Sequence, residues 1–396
     1  MSGYLADKNI CCGCGACENV CPTKAIAMGY DDEGFLYPSL EQTKCVDCRA
    51  CERVCPVKLD ANKGYPDYLK TYAGYSTKKE VMEHCTSGGF ATELSQLILQ
   101  KGGVVFGVRY AKDYIKAEYV CVTQEEDLKA LMSSKYVQSE KKDVYQAVKK
   151  TLLTNKTVLF IGCPCDVSAL KLFLGKEYEN LFTCELVCMG VTSYKIAEEY
   201  KEYTEKKNKA KLTFINARSK KNGWFVPHLE ERFDNGKTKL TTLFGSYYGY
   251  GFQVYNRPSC FQCRYRDKNG VADFRVGDFW GIKETDEFWN PNGVSCIFVR
   301  TDRGLSLLKD MEKKGFKLFE TDYEKATVNN MSSLHNKEEK YIVLREKFAR
   351  IYQEEGLVRA CKKTESFSVK LKRMLPKGMR AFAKKIYHKL HDKKTR

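Results

Sequence analysis

Residues 11–22 read CCGCGACENVCP and residues 45–56 read CVDCRACERVCP. Each is Cys-x2-Cys-x2-Cys-x3-Cys-Pro, the run of a bacterial two-cluster ferredoxin, whose fourth cysteine ligates the cluster of the other copy. The expectation is that Cys11, Cys14, Cys17 and Cys55 hold one 4Fe-4S cluster, and Cys45, Cys48, Cys51 and Cys21 the second. Three thiolates two residues apart wrap a tight turn around one cube, and the Cys-Pro leaves the loop with its sulfur aimed across. Gly13, Gly15 and Ala16 let the backbone approach inorganic sulfide closely. Zinc also uses Cys-x2-Cys pairs, but it does not require eight cysteines in double register with both prolines. Cys12 stands out of register and reads as a bystander.

Working outward, 396 residues suit two or three domains, and 43% hydrophobic residues supply a sizeable core. There is no run of 18 apolar residues and no charged-then-apolar leader, so a cytoplasmic protein is expected. Nineteen cysteines then read as reduced thiolates for metal rather than as disulfides, in an anaerobic or strongly reducing setting. The net charge of +17 is uneven, because Lys370–Arg396 carries eleven Lys or Arg and one acid, Asp392. The charge belongs to an appendage, which argues against a nucleic-acid partner. From Pro376 that tail reads as a helix with Met379, Phe382, Ala383, Ile386 and Leu390 on one face and lysines and arginines around it. Such a helix suits peripheral contact, through residues 370–396, with the anionic inner face of a membrane.

After a linker at Lys58–Asp67, Thr71–Tyr75 and Val104–Val108 read as strands around a helix opened by Thr86-Ser87-Gly88-Gly89-Phe90. A capped helix start beside two glycines leaves N–H groups free for an anion. Thr157–Ile161, Val167–Leu174 and Leu181–Val187 form a strand–helix–strand unit. It puts Cys165 and Cys188 on neighbouring loops at the C-terminal ends of the strands. Leu229–Phe233 and Lys237–Phe244 read as a hairpin. Tyr247–Tyr255 is rich in aromatics, suited either to a planar ligand or to a core. Cys260-x2-Cys263 completes four further cysteines that suit a 4Fe-4S cube or a zinc ion by count. Two clusters upstream favour iron–sulfur, and Cys163 competes with Cys165 as ligand. Five histidines give no spaced metal pair, and no Ser/His/Asp triad or phosphate-binding Walker loop is present.

From about residue 70 to 330 the chain resembles the beta-subunit family of coenzyme F420 (8-hydroxy-5-deazaflavin) hydrogenases and dehydrogenases. The resemblance rests on Ser87-Gly88-Gly89, Lys135-Tyr136-Val137-Gln138-Ser139, Gly162-x-Pro164-Cys165, Cys188-x-Gly190, Cys260-x2-Cys263, and Ala272-Asp273 through Gly277-Asp278-Phe279-Trp280-Gly281. It implies an FAD beside a third 4Fe-4S cluster. Ser87, Gly88, Gly89, Lys135, Gln138 and Ser139 become FAD contacts, and Cys165, Cys188, Cys260 and Cys263 cluster ligands. Asp166 stands where the family often has Gln, and Met189 where it often has His, so the family's substrate does not carry over. Arg275, Lys135 and the helix start at Ser87 are expected to offer positive field to a reduced flavin.

The expected architecture is α+β: a small ferredoxin-like domain (1–60), a flavoprotein region (68–160), an iron–sulfur/flavin region (161–330) and a helical extension (331–396). The expected function is an iron–sulfur flavoprotein oxidoreductase that exchanges electrons with ferredoxin or another redox protein and converts a small-molecule substrate by two electrons. The competing reading is an electron-relay subunit of a larger hydrogenase or dehydrogenase complex, without a substrate site of its own.

Overall fold

A computed structural model describes residues 4–59, 65–330, 336 and 338–366; the basic segment 370–396 lies outside them. The described chain has a mixed α+β fold, as the pattern predicts. The N-terminal unit is an antiparallel hairpin of β1 (Ile26–Tyr30) and β2 (Leu36–Leu40), with the short helices Ala16–Val20 and Ala50–Arg53 following the two cysteine loops.

The remainder is built on one nine-stranded sheet. Its members are β3 (Lys70–Tyr75), β4 (Val104–Tyr110), β5 (Ala117–Val122), β6 (Ser139–Glu140), β7 (Val158–Gly162) and β8 (Leu181–Leu186). A separate three-stranded antiparallel sheet follows, of β9 (Leu212–Ser219), β10 (His228–Phe233) and β11 (Thr238–Thr242). The chain then returns to the large sheet with β12 (Phe274–Asp278), β13 (Ser295–Val299) and β14 (Lys317–Thr321). The spatial order is β14-β3-β13-β12-β8-β7-β4-β5-β6. The central strands β12, β8, β7 and β4 run parallel. β4 and β7 read as near-continuous apolar runs because both faces are covered, whereas β8 and β12 carry buried Glu185 and Arg275. Helix Phe90–Gln100 and helix Asp302–Lys313 cover one face through Phe90, Leu94, Leu97, Leu307, Leu308 and Met311. Helices Val144–Leu152 and Pro164–Leu174 cover the other, and Cys14, Ala16 and Val54 of the N-terminal unit join that same core. Strands from either side of residue 160 thus interleave in one sheet.

Helix Tyr247–Val254, the aromatic segment, is mainly core. Tyr248, Tyr250 and Val254 pack with Tyr200, Phe348 and Tyr352 beneath the small sheet. Helix Glu339–Thr364 closes this core and breaks its backbone path at Gly356 (φ 77°, ψ 176°), a conformation open to glycine. Among the described residues no helix is long and apolar enough to cross a membrane.

Candidate functional site

The two cysteine loops share one backbone path. Gly13 and Gly15 of the first copy have φ of 66° and 74°, and Asp47 and Arg49, their counterparts in the second, both have φ of 55°. The second loop holds two non-glycine residues in the left-handed region, at about 1–2 kcal/mol each. Cys21, Cys45, Cys48 and Cys51 line one small pocket, and Cys48 is exposed. Cys11 and Cys14 are buried, facing the rest of the protein. Burial pushes the Cys11 thiol up to about 11, with Arg257 pulling the other way. Burial also raises Cys17, reinforced by repulsion from Cys11 and Cys55. The expected ligand sets therefore differ in setting, one outer and one inner.

The inner loop is held by a polar seam. The Gln138 Oε1 accepts from the Leu36 N–H at 2.9 Å, and its Nε2 donates to the Gly13 carbonyl at 3.5 Å. The Tyr145 hydroxyl donates to the Cys14 carbonyl at 2.9 Å. The Asn19 side-chain amide donates to the Lys142 carbonyl at 2.6 Å, and the Gln146 side-chain amide donates to the Asn19 carbonyl at 2.6 Å. Tyr265 reaches the Pro56 carbonyl (3.2 Å) and Arg264 the Leu59 carbonyl (2.8 Å).

Beside this seam, at the C-terminal ends of β4, β7, β8 and β12, lies a cavity of about 980 Å³. That is the crevice position favoured for ligands in open α/β sheets, and it is at the upper end of the usual cofactor-site range of roughly 300–1,000 Å³. Cys12, Cys163, Cys165, Cys188, Cys260 and Cys263 all line it. The Sγ atoms of Cys163 and Cys188 are 3.9 Å apart. Cys260 and Cys263 lie within electrostatic range of Cys188. Cys165 instead interacts electrostatically with Cys12, whose thiol also influences Cys14. Cys12, expected as a bystander, is thus the contact between the inner ferredoxin loop and the second thiol group. Its only sequence signal was adjacency to Cys11. A tetrahedral zinc with Zn–S of about 2.3 Å would bring four sulfurs to about 3.8 Å from one another. Among the described residues no three Cys, His, Asp or Glu side chains are gathered in that way.

The thiol loops are braced from behind. Arg266 donates to the carbonyls of Cys188 (2.9 Å) and Cys260 (3.0 Å). The Gly190 N–H points at the Cys188 sulfur at 3.4 Å. A side chain at Gly190 (φ +124°) would press on Asn256 and on the Cys260 Cβ. Asp166, the departure from the family pattern, has a physical partner: Lys141 at 3.2 Å, with the Tyr119 hydroxyl donating at 3.1 Å. Desolvation raises the Asp166 carboxyl, and Lys141 opposes the shift.

The same cavity is also lined by Ser87, Gly89, Phe90, Lys135, Phe252, Trp280 and the Arg218–Asp278 pair. Lys135 is half-exposed as a residue. Its ammonium, though, is enclosed by the carbonyls of Leu131 (2.7 Å), Met132 (2.8 Å) and Ser133 (3.1 Å). Burial lowers its pKa to about 7. Arg218 grips Asp278 through both carboxylate oxygens at 2.8 and 2.9 Å and lies over Trp280, which stacks on Trp224 at 5.1 Å.

The six residues expected at FAD divide. Ser87, Gly89 and Lys135 are on the wall of the cavity. The Ser87 hydroxyl donates to the Val294 carbonyl at 2.7 Å. Gly88 sits behind the wall, where its N–H donates to the Ser295 hydroxyl (3.0 Å) and a Cβ would meet β3. Gln138 and Ser139 touch the cavity, but Gln138 is committed to the seam and Ser139 accepts from Lys141. Arg275 does not offer a free positive field, because it is neutralised by buried Glu185, with Nε to Oε1 at 2.7 Å.

Residues 155–325 match the family model for the C-terminal part of the coenzyme F420 hydrogenase/dehydrogenase beta subunit, and residues 71–144 match the model for its N-terminal part, together more than half the chain. The chain belongs to this beta-subunit family. Residues 10–59 match a 4Fe-4S dicluster domain, so this is an iron–sulfur beta-subunit protein of the hydrogenase/dehydrogenase class. Among solved structures, a chain of the F420-reducing [NiFe] hydrogenase complex from Methanosarcina barkeri, derivatised with xenon, aligns at TM-score 0.49 and 18% identity. The alignment covers 72% of this chain and 94% of that one. No curated protein sequence matches.

Proposed function

We propose that this beta-subunit protein passes electrons between its ferredoxin-type clusters, a third 4Fe-4S cluster and FAD, and so converts a small substrate by two electrons. The observation that carries the reading is one cavity lined by six thiols, those of Cys12, Cys163, Cys165, Cys188, Cys260 and Cys263, and also by Lys135, Trp280 and the helix start at Ser87–Phe90. Bound FAD exchanges electrons singly with clusters and in pairs with organic substrates.

The chain's own residues supply the rest. Cys188, Cys260 and Cys263, with Cys163 or Cys165, would hold the third cluster, braced by Arg266. Lys135, whose ammonium contacts are all to carbonyls among the described residues, places a cation against an anionic part of the cofactor. The Arg218–Asp278 pair with Trp280 gives the cavity a flat surface. Ferredoxin or another redox protein is the partner this arrangement suits, meeting the outer cluster at exposed Cys48. The basic segment 370–396 would hold the protein at an anionic membrane surface; liposome co-sedimentation with and without it tests that contact.

Anaerobic purification with metal and flavin analysis tests the whole reading. It expects about twelve irons per chain and bound FAD. About eight irons and no flavin would leave the protein an electron-relay subunit without its own substrate site. Zinc in place of the last four irons would make the thiol group structural. Single Cys163→Ser and Cys165→Ser variants identify the fourth ligand, since only the ligand's loss removes the third cluster.

A further inference from the structure

Arg257 is the largest fully buried side chain among the described residues, with 1% of its surface exposed. It lies in the seam between the inner ferredoxin loop and the cavity wall. Its Nε donates to the Cys11 carbonyl at 2.7 Å, and its Nη1 to the Leu36 carbonyl (2.8 Å) and the Gln138 Oε1 (3.3 Å). Its guanidinium sits 3.9 Å from the centre of the Tyr37 ring. Among the described residues no carboxylate pairs with it, and its Nη2 is buried without a hydrogen-bond partner. Arg218 and Arg275, by contrast, face Asp278 and Glu185.

A guanidinium removed from water and left without an anion costs several kcal/mol, so such a group calls for a negative charge close by. The nearest candidates are thiols. Arg257 draws down the Cys11 and Cys12 thiols electrostatically and acts in the same sense on Cys260. A cube with four thiolates is an anion, and its one-electron reduction adds one further negative charge with no bond made or broken. Burial alone penalises that added charge. The inner ligands Cys11 and Cys14 are buried whereas Cys48 of the outer set is exposed, so burial by itself would make the inner cluster the harder one to reduce.

We propose that Arg257 is the resident counter-ion of the Cys11–Cys14–Cys17–Cys55 cluster and raises its reduction potential enough for electrons entering at the exposed outer cluster to move inward. The electron comes from a low-potential one-electron donor of the ferredoxin class and passes from outer to inner cluster without a proton. The inference rests on the dicluster domain and stands whether or not FAD binds. Arg257 acts here as a positioning and electrostatic residue.

The test is a potentiometric titration of anaerobically purified wild type, R257Q and R257K, following the two cluster signals by electron paramagnetic resonance. Cys48→Ser identifies the outer signal. The expected result is an inner-cluster potential shifted downward in R257Q, the outer one unmoved, and R257K close to wild type with unchanged iron content. An unmoved inner potential in R257Q, or a shift confined to the outer cluster, overturns the proposal. If R257Q loses iron, R257K decides: a purely structural role predicts that lysine, which cannot bridge Cys11, Leu36 and Gln138, loses iron as well, and that result also overturns it.

Discussion

Lys135 offers a prediction whose size follows from its surroundings. Three carbonyls take all three ammonium protons, and burial brings the pKa to about 7 from its ordinary value of 10.5. A lysine lowered in this way is charged below pH 7 and increasingly neutral above it. If the charged form attracts an anionic part of FAD, the attraction is fully present at low pH and is lost as pH rises through 7. Each further unit costs about 1.4 kcal/mol, a factor of ten. Between pH 6 and 8.5 the dissociation constant of FAD should therefore rise roughly 30-fold, about 2 kcal/mol. Fluorescence titration of flavin-free protein across that range measures it directly. Lys135→Met should bind weakly at pH 6, near the high-pH wild-type value, and should lack the rise. A flat wild-type profile, or an equal slope in the methionine variant, would refute the reasoning. The same group makes a second, opposite demand on the flavin-free protein. Between about pH 7 and 10.5 its unfolded chain binds the extra proton, so Lys135 contributes to a stability that rises with pH over that window.

Cys260→Ser should lower the iron content from about twelve to about eight per chain and leave both ferredoxin signals intact; retention of all iron would place the third cluster elsewhere. Gly13→Ala should loosen the seam, since φ is +66° and the new Cβ would lie 2.7 Å from the Leu36 carbonyl oxygen and 2.8 Å from Arg257 Nη1, besides meeting the Gln138 amide. The backbone strain alone is about 1–2 kcal/mol, read as a lower thermal midpoint, whereas an unchanged midpoint would show that the loop yields freely. Asp278→Ala leaves Arg218 buried without its carboxylate and removes the acceptor of the Trp224 Nε1–H (2.9 Å). The expected loss is about 3–5 kcal/mol of stability, and a loss below about 1 kcal/mol would mean that Arg218 finds another partner.

The sequence displayed the local chemistry well and the long-range assembly poorly. The doubled cysteine run, the strand–helix–strand unit around Cys163–Cys188 and the hairpin of β10 and β11 are written in short-range spacing and periodicity. The order of the nine-stranded sheet is not, because β3 finds its neighbours β13 and β14 more than 200 residues downstream, and no local pattern encodes such a pairing. The strand Ala117–Val122 is short, and charged flanks (Lys112, Asp113 and Lys116 before it, Glu125, Glu126 and Asp127 after it) mask it, although its buried and exposed positions largely alternate. Arg257 carried no sequence signal, and Gln138, expected at FAD, is bonded to Leu36 and Gly13 instead. Each is a single polar side chain whose meaning lies in main-chain groups of the N-terminal unit more than 100 positions away.

That seam decides how the cluster unit relates to the rest of the protein. A ferredoxin domain acting as a detachable shuttle would present a wet, polar rim to the larger fold and keep its cysteines behind its own surface. Here Cys14, Ala16 and Val54 are part of the core that supports the large sheet, and an arginine with 1% exposure bonds to the Cys11 carbonyl. Separating the two parts would uncover apolar surface and exchange the hydrogen bonds of the Arg257 guanidinium, Gln138 and the Tyr145 hydroxyl for water, each exchange costing about 0.5–1.5 kcal/mol. The separation between the N-terminal thiols and those lining the cavity is therefore set by folding. Rates across it should respond to charges beside it, such as Arg257 and Lys141, and not to the viscosity of the medium.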